Sequence, residues 1–341
     1  MQTTLNLSLV LLGVSLFHPP LQVYAAIGDL EPQDAMHAVL AAFDRYDLVA
    51  LGEAHRNQNV HDFALALIRS ADFPEKVNDI VVEFGNGRYQ SVMDRYVDGA
   101  DVPARELRRV WRDTVNILVW DAPVYERFFS VVREVNQHLP KVRRIRVLLG
   151  DPDFDWGRIE SREQWEKVAA QRDTHAADII VKEVVQKRRK ALLFYGSQHL
   201  TRESAYLAFG GRTQAPNLTE TLERDHDRKV FVIWPEMTGW GEIGESYGRL
   251  AGWRVPSVAL VKGTWLGGKT LGPPGEAPRL QELADAFLYL GPVRSLRQSV
   301  PPAKLYRDAA YLAELKRRDS IIGGFNSDEL LQWTKHLSSG R

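Results

Sequence analysis

A chain of 341 residues, 44% hydrophobic and 26% charged, has the composition of a globular protein with room for one large domain or two ordinary ones, which excludes wholesale disorder. Its 44 basic and 44 acidic side chains cancel, so neither a nucleic-acid partner nor a polybasic membrane surface is expected, and Arg143-Arg144 and Lys187-Arg188-Arg189-Lys190 read as solvated helix ends. With no cysteine, disulfides and disulfide-linked partners, iron–sulfur clusters, thiolate metal sites, cysteine nucleophiles and an N-terminal lipidated cysteine are all excluded.

The chain opens with an apolar stretch, Leu5 to Phe17, too short to span a bilayer comfortably. Pro19-Pro20 breaks it, and Val23-Tyr24-Ala25-Ala26 fits a small-residue cleavage site. Residues 1–26 therefore read as a signal peptide cleaved near Ala25, although Met1-Gln-Thr-Thr carries no Lys or Arg. The expectation is an exported protein, periplasmic or secreted; the alternative is an uncleaved anchor.

Leu30 to Phe43 reads as an amphipathic lead-in helix. Leu48 to Leu51 is a buried strand that stops at Gly52, followed at once by Glu53 and His55. Asn59 to Ser70 has helical spacing, with His61 near its start either leaning back to the strand end or capping the helix. Asp79 to Phe84 is a strand carrying Glu83, and Gly85-Asn86-Gly87 is a turn. Helices follow through Tyr89 to Tyr96, Pro103 to Val110 and Val124 to His138, then a strand from Arg144 to Gly150 ending in Asp151. Arg162 to Lys190 is periodic enough for one long helix, with Arg172, Asp173 and His175 on it. Ala191 to Tyr195 repeats the first pattern, an apolar strand ending in Gly196-Ser197-Gln198-His199. Val230 to Trp234, Ser257 to Val261 and Ala286 to Leu290 are further strands, Gly263 to Pro278 is loop, and Lys304 to Lys316 and Ser327 to Leu337 are closing helices.

Strands alternating with helices predict an α/β fold with a mainly parallel central sheet and helices on both faces. Residues 27–341 read as a single domain with a C-terminal extension from residue 263. In such sheets ligands bind outside the carboxyl ends of the strands, which is where His55, Glu83 and His199 fall. Imidazole and carboxylate are the usual ligands of catalytic zinc and suit related first-row metals, so these three could hold Zn, Mn or Co with a position open for water, and Glu53 would be the base or a supporting partner. The same residues also serve without metal, a histidine oriented by a carboxylate deprotonating water for attack on an ester or lactone. Ser197 lies in no Gly-x-Ser-x-Gly elbow, which leaves serine-hydrolase chemistry without support. Arg172-Asp173 reads as a helix ion pair or, more sharply, as a pair that orients a site group.

These residues resemble the erythromycin esterase / TIKI / ChaN superfamily. Gly52-Glu-Ala-His55, Glu83 and Gly196-Ser-Gln-His199 are similar to its paired G-x-x-H motifs and acidic positions. Leu51-Gly-Glu-Ala-His-Arg-Asn57 with His61, and Val82-Glu-Phe84 with Gln90, look like the ChaN-type opening and second motif. Leu149-Gly-Asp151 is similar to the G-x-D of erythromycin esterases, and Gln171-Arg-Asp-Thr-His-Ala-Ala177 to an R-D-x-x-M-A helix, with Ala176 where Met is usual. The resemblance spans roughly residues 45–200 and is nearest to ChaN-like proteins.

Its members imply different activities. TIKI-like members are metal-dependent proteases, erythromycin esterases cleave a macrolactone with His and Glu without an obligatory metal, and ChaN-like members bind haem or serve iron uptake. The expectation is thus an exported hydrolase of peptidase or esterase type, acting on a peptide or small molecule through Glu53, His55, Glu83 and His199, with His61, Asp151 and Arg172 in supporting or cofactor-binding positions. The alternative is a haem-binding uptake protein with His55, His61, Tyr89 or Tyr195 as the axial ligand.

Overall fold

The computed structural model describes residues 28–202, 216–235, 247–270 and 277–323. The signal-peptide reading of residues 1–26 and the closing helix at 327–337 lie outside them. No helix among the described residues is long and apolar enough to cross a membrane.

Eight strands form one sheet: β1 (Gln33–Asp34), β2 (Leu48–Glu53), β3 (Asp79–Asn86), β4 (Arg146–Asp151), β5 (Ala191–Gly196), β6 (Val230–Pro235), β7 (Ser257–Leu260) and β8 (Ala286–Tyr289). Their order is β1-β7-β8-β6-β2-β5-β3-β4. From β8 to β4 every pairing is parallel; β7 runs antiparallel to β8 and to β1. The central strands are covered on both faces, which is why they read as unbroken apolar runs. Alternation along each strand splits them between two cores. Val49, Leu51, Ile80, Val82 and Phe194 face the helices Gln58–Arg69, Gln90–Val97 and Pro123–Gln137. Leu48, Ala50, Val81, Leu193 and Tyr195 face the helices Arg172–Ile180 and Leu218–Asp225. The expected mainly parallel α/β architecture is therefore the one observed.

Several boundaries differ from expectation. The first helix starts only at Ala35, where the Asp34 carboxylate accepts the His37 N–H as its cap. Gly85-Asn86 is not a turn: β3 runs on through Asn86, whose buried amide donates to the carbonyls of Asp113 and Phe154. The stretch from Arg162 divides into a helix Arg162–Ala169, a second helix Arg172–Ile180 and a π-turn Val181–Val185. The two helices serve different surfaces: Trp165 and Val168 pack on a small cluster around Phe154 and Trp156, whereas Ala176, Ala177 and Ile180 pack on the sheet. The helix expected from Lys304 begins with a 3-10 turn, Ala303–Arg307, and is re-nucleated by the Asp308 cap as Ala309–Ile322.

Candidate active site

Four neighbouring strands, β2, β5, β3 and β4, bring the sequence-derived residues to one edge of the sheet. Glu53 ends β2, Asp151 ends β4, Glu83 lies in β3, and β5 passes through Gly196 into the short helix Ser197–Leu200 that carries His199. The alignment follows from register, because Glu53 pairs directly with Gly196 across β2 and β5.

Glu53 is buried and anchors one half of the site. Its Oε1 accepts from the Tyr125 hydroxyl at 2.6 Å, from His61 Nε2 at 2.9 Å and from the Arg56 N–H at 3.1 Å. Burial opposes the charge, but His61 and His55 outweigh it and hold the carboxyl down at about 2. Its Oε2 has no hydrogen-bond donor within bonding distance and lies 3.6 Å from His55 Nδ1. His55 is the open member of the pair, with 37% of its side chain exposed. Its ring stands edge-on to Trp120 at 4.7 Å. Burial would lower its pKa, yet the Glu53 and Glu83 carboxylates raise it above the ordinary imidazole value. His61 is completely buried among Phe84, Tyr125 and Phe194. It leans back to the strand end and is not a cap; Asn57 caps that helix.

Glu83, also buried, anchors the other half. Its Oε2 accepts the Gly196 N–H at 2.7 Å, and its Oε1 accepts from the Arg172 guanidinium. Burial again opposes the charge, and His199 and Arg172 together pull the carboxyl well below its usual range. His199 Nδ1 donates to Asp173 at 2.7 Å, while its Nε2 lies 3.4 Å from Glu83 Oε1 and 3.3 Å from Arg172 Nη2. Against burial, Asp173 and Glu83 push His199 up to about 10. Asp151 accepts the Val115 N–H at 2.8 Å and sits 3.7 Å from Arg172 Nε. Here burial prevails over Arg172, and the carboxyl rises to about 7.

Gly196 lets the two halves meet. A Cβ there would fall 2.7 Å from His55 Cε1 and 2.9 Å from Glu83 Oε2, a contact no side chain tolerates. Glu53, His55, Glu83, His199, His61, Asp151 and Arg172 are thus all in one connected cluster. Sequence reasoning gave no site role to Tyr125, Trp120 or Arg56. Tyr125 falls within the helix expected from Val124 to His138, with nothing in its spacing to mark its hydroxyl for the site. Arg56 adopts a left-handed conformation with φ 67°, and its guanidinium donates to the carbonyls of Leu118 and Val119, tying the His55 loop to the Trp120 segment. On the other side Ser299 N donates to the Arg56 carbonyl at 2.7 Å and Gln58 N to the Arg297 carbonyl at 2.9 Å.

The expected metal set does not fit this arrangement. His55, Glu83 and His199 do converge, but the Arg172 guanidinium already lies against Glu83 and beside His199 Nε2, so a fixed cation takes the position a divalent ion would need. Among the described residues no group of three His, Cys, Asp or Glu side chains is arranged to hold a metal. Of the candidate haem ligands, His61 and Tyr195 are sealed in the interior and the buried Tyr89 hydroxyl donates to Asp113, which leaves His55 as the imidazole open to a ligand.

Residues 39–142 match the family model described as haem-binding uptake, Tiki superfamily, ChaN. The resemblance read from the sequence therefore holds over the segment with Glu53, His55, His61 and Glu83; Asp151, Arg172 and His199 lie beyond the match. No curated protein sequence matches the chain. Among solved structures, a succinoglycan biosynthesis protein aligns with TM-score 0.56 at 9% identity, covering 77% of this chain and 94% of its own. A mutant of the erythromycin esterase EreC in its open conformation aligns with TM-score 0.51 at 12% identity, over 77% and 94%. Both likenesses establish a shared fold. ChaN of Campylobacter jejuni, a structure with cofacial haem, aligns at TM-score 0.42 and 15% identity over 61% and 88%, which is too distant to support an argument.

Proposed function

We propose that the protein is a hydrolase that activates water without a metal, with His55 as general base, on an ester or lactone substrate. The observation that carries this reading is the half-exposed His55 imidazole with Nδ1 toward Glu53, a buried carboxylate fixed by a tyrosine, a histidine and a backbone N–H. Glu53 favours the tautomer with hydrogen on Nδ1 and leaves Nε2 to take a proton; such contacts are often long in a free enzyme and tighten with substrate. In the reaction His55 accepts a proton as water oxygen bonds to the carbonyl carbon. It returns that proton to the leaving oxygen as the carbon–oxygen bond breaks. Glu53 steadies the imidazolium formed between these steps, as Asp does in a triad. Arg172 and His199 neutralise Glu83 beneath the site, so that a second carboxylate does not repel the oxyanion.

The test is turnover of a panel of esters, lactones and peptides by the purified full chain and by His55→Ala. Hydrolysis lost in the variant at unchanged thermal midpoint supports the proposal; undiminished hydrolysis removes it. Export, inferred from residues 1–26, belongs to the same proposal and is checked by fractionating cells that express the full chain.

A second reading is a haem-binding protein of the uptake type, favoured by the description of the family that matches residues 39–142. His55 would then be the axial ligand. A Soret band on adding haem, lost in His55→Ala, supports it, and no band at saturating haem counts against it.

A further inference from the structure

His55 is oriented by packing more than by hydrogen bonds. Its Nδ1 lies 3.6 Å from Glu53 Oε2, beyond ordinary hydrogen-bond reach, so its ring depends on the Trp120 indole that meets it edge-on at 4.7 Å. Trp120 is buried and packs on Tyr125 and Phe84. Its Nε1 has no acceptor among the described residues, so no hydrogen bond of its own fixes the indole. What fixes it is the chain on either side. Before it, Leu118 takes the left-handed conformation at φ 68°, uncommon for a leucine, and Arg56 holds the carbonyls of Leu118 and Val119. After it, the buried Asp121 carboxylate accepts the Tyr311 hydroxyl at 2.9 Å and the Tyr306 hydroxyl at 3.1 Å. The two tyrosine rings are stacked, and the Arg112 guanidinium lies over Tyr311 at 4.7 Å with its Nε 3.7 Å from Asp121.

Burying a carboxylate is costly unless donors satisfy it. Two hydroxyls that converge on the residue after Trp120 satisfy it and also pin the 3-10 turn Val119–Asp121, on the side of the indole that Arg56 does not hold. We propose that Tyr306 and Tyr311 are positioning residues for His55: by pinning Asp121 they keep Trp120 against the imidazole, and so keep Nδ1 turned to Glu53. The proposal rests on the reading of His55 as the base. The helix Ala309–Ile322 has separate anchors, Arg318 on Asp113 and the Arg112 carbonyl, and Arg317 on the Trp156 and Ile159 carbonyls, so the tyrosine hydroxyls are not what docks it.

The test is Tyr306→Phe with Tyr311→Phe in the full chain, which keeps both rings and removes both donors. The first readout is the ring resonance of His55 in protein carrying isotope-labelled histidine, assigned by its loss in His55→Ala and displaced by the ring current of Trp120. The double variant is expected to shift it in the same direction as Trp120→Phe does, and Tyr311→Phe alone to shift it less. Arg317→Met removes an anchor of the same helix away from Asp121; it should lower the thermal midpoint and leave the resonance in place. In the hydrolysis assay the double variant should lose kcat by about tenfold to a hundredfold at unchanged KM, the scale of displacing a reacting group by about 1 Å. A resonance unmoved by the tyrosine variants, an equal shift in Arg317→Met, or an undiminished kcat would each overturn the proposal. The resonance is read without substrate, so a chain that hydrolyses nothing defeats the hydrolase reading while the hold of the two tyrosines on His55 is still decided.

Discussion

The two Gly-x-x-His strand ends look alike in sequence and differ in chemistry. After β2 the histidine stands on a loop, half-exposed, one nitrogen toward a carboxylate and the other over Gly196. After β5 the histidine lies in a short helix, with Asp173 on one nitrogen and Glu83 and Arg172 on the other. Glu53 is satisfied largely by neutral donors and keeps one oxygen for His55, whereas Glu83 is matched by a fixed guanidinium. On the proposed reading, what a carboxylate's partners are, more than where it sits on the sheet, decides whether its histidine is free to act as a base or is held in an ion network.

The largest expected effect is on catalysis. His55→Ala should lower kcat/KM by about 10²–10⁴, the usual share of a general base, while His199→Gln should cost less; the reverse order in steady-state assays would exchange the roles of the two halves. Next comes Arg172→Met, which leaves Glu83 buried without its cation. Removing one member of a buried pair costs about 3–5 kcal/mol, read as a lower urea midpoint, and a smaller loss would mean Glu83 is held mainly by the Gly196 N–H.

Glu53 sets an acid limit. Its folded pKa of about 2 lies below the reference 4.5, so its contribution is complete above 4.5 and is lost as pH falls through about 2. That shift corresponds to roughly 3 kcal/mol, and Glu53→Gln should flatten acid unfolding monitored by circular dichroism. The same variant should move the acidic limb of the pH–rate profile downward, because Glu53 and Glu83 are what raise His55 above its reference value of 6.5. Asp151 works with the opposite sign. Its folded pKa of about 7 exceeds the reference 3.8, so the folded state holds an extra proton between the two and stability declines as pH rises through that window. Asp151→Asn keeps an oxygen for the Val115 N–H and should remove the decline in thermal midpoint between pH 4 and pH 8. The smallest expected effect is that of a chelator: with Arg172 in the cation position, EDTA should leave the hydrolysis rate unchanged.

The sheet was legible because buried parallel strands must be apolar throughout, and Leu48–Leu51, Ile80–Val82 and Ala191–Phe194 show this without interruption. The cluster was legible for the same reason, since Glu53, Glu83, Asp151 and His199 are the polar residues met as such runs end. What stayed hidden depends on distant partners. Tyr125 has ordinary helix spacing, and only the fold shows its hydroxyl on a carboxylate 72 positions away. The break after Ala169 carries no Gly or Pro, because it reflects which surface each helix covers.

The chain segment at Arg297–Ser299 has a consequence for how the protein is made. It grips the His55–Asn59 stretch through Arg297 N on Asn59 Oδ1, a bond between residues 238 positions apart, and through Ser299 N on the Arg56 carbonyl. A nascent chain that has just completed the short helix after β5 already contains Glu53, His55, Glu83 and His199. Its first strand end remains without that outer clasp until nearly a hundred more residues have left the ribosome. The last hold on this strand end is therefore set by the far end of the chain, and a fragment ending near residue 200 keeps the chemical groups and the Arg56 ties to Leu118 and Val119 but lacks the outer clasp at Asn59 and Arg56.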